Sequence, residues 1–212
     1  MFSIEDVTQN TTPLWTAALH GHVEEVKQLI LANADYKAKC SEHESTPLHI
    51  AALMGHTDIV MLLIEKIKKD DPDSHFWADK DRHGNRPLSY ACAGINAETV
   101  ETLIKHIPIR INTNYDCTID DNHKDLKLAA TGCSYSVYTN NILSCFEQKN
   151  IPIRNDHQVQ TMRILLLHGY LPDFTKIWDI AISNPNTKLL KLLMTEGKGR
   201  RGLHIAYDEA YY

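Results

Sequence analysis

Cys133 and Cys145 share one stretch of the chain with Asp156 and His157, which together hold the residue types of thiol catalysis. That chemistry needs an imidazole within hydrogen-bond reach of the sulfur and surroundings that lower the thiol pKa. Neither cysteine carries a family signature such as a nucleophile set between glycines. There is also no phosphate-cradling glycine loop, no HExxH and no calcium loop. The five cysteines are dispersed, without a CxxC pair or zinc spacing, and the twelve histidines are scattered. No cofactor or metal is expected, and the chain is read as a non-enzyme.

Composition points the same way. A formal net charge of −5 gives no general attraction for phosphate or anionic lipid, which argues against nucleic-acid binding. Only Lys198–Arg201 and the Lys66, Lys68, Lys69 group are locally basic. The first residues, Met1–Asp6, lack the charged start and apolar core of a signal peptide. No apolar run approaches the ~20 residues of a membrane span. An odd, spread set of cysteines suits a reducing compartment, so a monomeric cytoplasmic or nucleocytoplasmic protein is expected.

What must position any site is a repeat. Thr46-Pro47-Leu48-His49-Ile50-Ala51-Ala52 has a near copy in Thr12-Pro13-Leu14-Trp15-Thr16-Ala17-Ala18 and a worn one in Arg86-Pro87-Leu88-Ser89-Tyr90-Ala91-Cys92. The threonines are placed to cap a short helix with their hydroxyls, and the prolines occupy a first turn that needs no amide donor. Gly21-His22 and Gly55-His56 then break the chain. A second helix follows, with Val26, Leu29 and Ile30 on one stripe in the first unit and Val60, Leu63 and Ile64 in the next. Each such side chain contributes about 1.5–3 kcal/mol when fully buried, and only a neighbouring unit can cover it.

These residues resemble the ankyrin repeats, whose pattern reads T-P-L-H-x-A-A, then G-H, a leucine-rich helix, and G-A-D. The resemblance implies an all-α solenoid of five helix pairs with a terminal half-repeat, forming a single domain over 1–212. The units are placed at 8–40, 41–79, 80–119, 120–173, 174–199 and 200–212. Unit three continues through Val100, Leu103 and Ile104 but departs at Arg86, in the capping position, and at Ile95-Asn96, in place of Gly-His. Unit four keeps Leu126, Leu128, Ala129 and Ala130. Unit five keeps Ile180-Ala181 and Leu189–Gly197, and Gly202–Tyr207 echoes a first helix.

Departures from the period mark individuality, since added residues need not build the core. A polar excursion over Lys68–His75 separates units two and three. A longer insertion, 131–157, enters unit four and carries Tyr135, Tyr138, Ile142, Leu143 and Phe146. It is expected to hold an extra helix that packs on unit four, contacts a partner, or both.

The resemblance implies a function in binding another protein, as adaptor, inhibitor or scaffold, on a concave face of hairpin tips and first helices. By position, Leu19 and His20 lie beside Leu53 and Met54 there, with Ala93 and Thr131 continuing the row. The four large side chains are expected to form an exposed patch, with burial against a terminal segment as the competing reading. The hairpins would add His43, Arg82, His83, Asn85 and His123, and Trp77 would serve either as a partner anchor or as a lid on Phe76. Asp116, Asp120, Asp121 and Asp125 either attract a basic segment or form a solvated loop. His49, by its place in the pattern, implies a structural hydrogen bond to the neighbouring turn. Alternative readings are a targeting module of a larger or pathogen-delivered effector, placed in the host cytosol, and a thiol enzyme using Cys133 or Cys145.

Overall fold

The computed structural model describes residues 11–40, 43–106, 124–126, 128–130, 155–168 and 186–198. Between residues 13 and 106 the α-helices come in pairs. Inner helices α1 (Pro13–His20), α3 (Pro47–Met54) and α5 (Pro87–Ala93) alternate with outer helices α2 (Val23–Leu31), α4 (Thr57–Asp70) and α6 (Ala97–His106). Residues 124–126 and 128–130 are helical, and α7 (Asn155–Leu167) and α8 (Thr187–Lys198) follow. Inner helices pack on inner ones, α1 to α3 to α5, and outer on outer, from α2 through α4, α6 and α7 to α8. The segments beginning at Thr12, Thr46 and Arg86 therefore lie side by side, as the repeat requires.

Local chemistry starts the first pair as the sequence predicts. The Thr12 hydroxyl accepts from the amide of Trp15, and a proline opens all three inner helices. Gly21 and Gly55 end α1 and α3 with φ of 75°, a left-handed turn in which a side chain is strained. Space forbids a side chain there as well: a Cβ on Gly21 would sit 2.6 Å from the His56 ring, and one on Gly55 would sit 2.6 Å from the Asn96 side chain.

The apolar stripes close against their neighbours. Val26, Val60, Leu63, Ile64, Val100 and Leu103 are buried in one continuous cluster with Leu14, Trp15, Leu48, Ile50 and Leu88. Leu126, Leu128, Ala129, Ala130, Met162, Leu165, Leu189 and Leu193 belong to the same cluster. Leu29 and Ile30 are only partly buried against it, so α2 is covered incompletely.

The excursion between units two and three is not all loop. Ile67 extends the buried stripe of α4 by another turn, and the helix runs 14 residues to Asp70, against 9 in α2 and 10 in α6. Lys68 and Lys69, basic residues in its last turn, suit the negative end of the helix dipole. A 3-10 turn at Phe76–Ala78 then brings Phe76 into the core.

Neighbouring units are also joined by polar side chains at both ends of the inner helices. At the starting end, Trp15 Nε1 donates to Ser45 Oγ at 3.2 Å. Trp15→Phe keeps the packing but removes that donor, and should lower stability by about 1 kcal/mol in urea unfolding. One unit on, the Thr46 amide donates to His49 Nδ1 (3.2 Å), so the ring proton lies on Nε2, which donates to the carbonyls of Asp79 (3.2 Å) and Asn85 (3.3 Å). At the finishing end, His56 Nε2 donates to Leu19 O (3.3 Å) and Asn96 Nδ2 to Leu53 O (2.8 Å). The Ile95-Asn96 departure thus preserves the tie with an amide in place of an imidazole. It carries strain, because Ile95 adopts φ 55°, a conformation that costs a β-branched residue about 1–2 kcal/mol.

Candidate functional site

The row proposed from position does not survive as an exposed patch. Leu19 is 3% exposed and Leu53 4%, and both belong to the core cluster; Ala93 is buried too. They close the last turn of inner helices packed against one another, so apolar character here reflects interior packing. His20 alone of the four large residues is exposed, and Met54 is half-buried beside the core.

The turn before α5 gives a second correction. Asn85, expected to project from the hairpin, is 1% exposed and belongs to a buried polar knot. Asp81 Oδ1 accepts from the amides of His83 (2.8 Å) and Asn85 (2.7 Å), while Oδ2 accepts from Asn85 Nδ2 (2.9 Å) and the Tyr90 hydroxyl (2.8 Å). Burial opposes the Asp81 charge, but hydrogen bonds from Asn85, Tyr90 and His83 outweigh it and hold the carboxyl below its ordinary range. Burial, then Asp81, push the Tyr90 phenol well above its own. His49 lies edge-on to Tyr90, with ring centroids 5.1 Å apart.

His43 is likewise buried, at 6% exposure, and its carbonyl accepts from the Arg82 amide at 3.1 Å. Its backbone thus joins two turns. Arg82 is exposed, with Nε 3.9 Å from Glu44. His83 is half-buried, and its carbonyl accepts from Lys124 Nζ at 2.9 Å. Trp77 lies in the 3-10 turn. His123, Tyr135 and Tyr138, with Asp116, Asp120 and Asp121, lie outside the described residues, as does Thr131.

Sequence reasoning missed the third tie between units. Arg86 Nη2 donates to Asp125 Oδ2 at 2.6 Å and the Ser89 hydroxyl to Asp125 Oδ1 at 2.5 Å, with Arg86 2% and Asp125 0% exposed. The signal was available as opposite charges at two worn positions: an arginine where units one and two have threonine, and an aspartate where units one to three have proline. Asp125 is no part of a solvated loop.

Of the thiol constellation, Cys133 and Cys145 lie outside the described residues. Asp156 pairs with Lys188 at 2.6 Å, and that hydrogen bond lowers its carboxyl pKa. His157 lines an open cleft of about 440 Å³ with Thr57, Glu98, Glu101, Gln160 and Ile164. Cys40 and Cys92 are free buried thiols, and burial pushes the Cys92 thiol well above the reactive range. Among the described residues no three His, Cys, Asp or Glu side chains are placed to hold a metal. None of their helices is long and apolar enough to cross a membrane.

Paired helices stacked in a single row, tied by side chains that reach from unit to unit, define an all-helical repeat solenoid. Residues 2–73 match the family model described as ankyrin repeats (3 copies), so the chain carries ankyrin repeats over this stretch. A search of curated proteins found no match. Ankyrin repeats generally serve to bind other proteins, and the family is generally non-enzymatic.

Proposed function

We propose that the chain is a non-enzymatic adaptor, inhibitor or scaffold that holds a partner protein on the inner face of the stack. The observation that carries this reading is the double set of inter-unit ties, at the start and finish of the inner helices, backed by one continuous core. A surface fixed in advance loses little conformational entropy when a partner settles on it, so its contacts convert efficiently into affinity.

Within that reading the contact row is narrower than position alone suggests. His20 and Met54 hold equivalent places on adjoining inner helices, and Arg82 and His83 offer polar contacts at the hairpin before α5. Leu19, Leu53, His43 and Asn85 act behind them as framework. The residues of the insertion, Tyr135 and Tyr138 among them, are assigned to specificity. Replacing His20 and Met54 together by glutamate should leave the circular-dichroism spectrum and urea midpoint near those of the parent while reducing partner capture at least about 10-fold, as expected for loss of a central contact. Undiminished capture by the folded variant would remove these two residues from the site.

A further inference from the structure

Arg86 and Asp125 are two departures from the repeat that the structure resolves into one device. Arg86 stands where Thr12 and Thr46 cap the earlier inner helices, and Asp125 stands where Pro13, Pro47 and Pro87 open them. Across the junction between units three and four they meet at 2.6 Å, both buried, with Ser89 donating to the second carboxylate oxygen. The Arg86 amide in turn donates to Ser89 Oγ at 3.2 Å, which fixes the hydroxyl.

We propose that Arg86, Ser89 and Asp125 form a keyed lock that lets the inner helix of unit four stack on unit three and on no other unit. The earlier junctions are closed by neutral groups: Trp15 with Ser45, and His49 with two backbone carbonyls. An inner helix bearing Asp125, set against unit two instead, would bury its carboxylate beside the Thr46 hydroxyl and a neutral His49, with no guanidinium to meet it. An unpaired buried charge is strongly unfavourable, whereas a matched pair is close to neutral against an apolar pair of similar size. The lock therefore contributes choice of neighbour more than strength. It is needed at this junction because the helices that stack here otherwise show similar apolar faces of leucine and alanine: Leu88 and Ala91 on one side, Leu126, Leu128, Ala129 and Ala130 on the other.

The test uses the full chain in four forms: Arg86→Met, Asp125→Leu, the two combined, and the exchange Arg86→Asp with Asp125→Arg. Each single change takes the opposite charge away from a buried one and should reduce amide-exchange protection of residues 124–130 and 155–168 on the order of 100-fold or more. The combined apolar pair should recover protection yet show more than one set of amide cross-peaks for these residues in the NMR spectrum, as the helix settles in more than one register. A single parent-like set from the apolar pair would overturn the lock. Should the apolar pair fail to fold, the exchanged pair decides. Recovery of one set of cross-peaks and of protection supports the lock, and protection no better than in the single variants rejects it.

Discussion

Gly94→Ala is expected to destabilise the stack by about 3 kcal/mol, the upper range for overpacking a rigid contact, and to lower the urea midpoint accordingly. The backbone at Gly94 has φ −74°, which alanine adopts freely, so the effect is purely one of space. A Cβ there runs into the Leu53 carbonyl oxygen, the acceptor that Asn96 Nδ2 reaches at 2.8 Å. A backbone oxygen cannot swing aside as a side chain can, so units two and three must separate or Asn96 must lose its bond. Gly84 supplies the control. It has φ 73° and nothing within 4 Å of an added Cβ, so Gly84→Ala should show only the conformational penalty of about 1–2 kcal/mol. Equal losses at the two sites would show that the approach of Gly94 to Leu53 is not what limits the junction.

The second large effect is a loss of stability in mild acid that belongs to His49. Burial lowers its pKa from 6.5 to about 4, and the ring geometry agrees: Nδ1 already accepts the Thr46 amide, a bond that a proton there would break. Above pH 6.5 the imidazole is neutral in both folded and unfolded chains, and the stabilisation is fully present. Between pH 6.5 and about 4 the unfolded chain binds a proton that the folded chain does not, so stability falls as pH falls. Across that window the loss attributable to His49 is about 3 kcal/mol. Urea unfolding of the parent and of His49→Leu at pH 7 and pH 4.5 isolates it. The variant starts less stable, because the Thr46 amide and two carbonyls lose their partner, but its stability should decline less with acid. Parallel declines would remove His49 as the source.

Much of the fold could be read from the Thr-Pro-Leu openings and the stripes of Val60, Leu63, Ile64 and their counterparts, because a helix that must bury one face writes that need at fixed spacing. His49 was legible for a related reason: a polar residue in an apolar run needs a partner, and the adjoining turn is the nearest. The candidate site was less legible. Position along the repeat says which way Leu19 and Leu53 point, but not how deeply the packed inner helices enclose that turn. Asn85 and His43 follow turn chemistry: the Asn85 side chain, three residues from the exposed Arg82, folds inward to satisfy Asp81, and the His43 carbonyl joins two turns. The pairing of Arg86 with Asp125 escaped because each looked like erosion alone; only their opposite charges on facing units give them meaning.

The ties at the two ends of the inner helices run in opposite senses along the chain. Trp15, His49 and Arg86 reach forward to the next unit, while His56 and Asn96 reach back to the one before. Where both kinds operate, as between units two and three, sliding one pair past its neighbour must break bonds at both ends together, so shear meets them in parallel rather than one after another. A pull on the described units along the row should accordingly give abrupt, unit-sized extensions in place of gradual creep, the behaviour of a stiff ratchet that yields in steps.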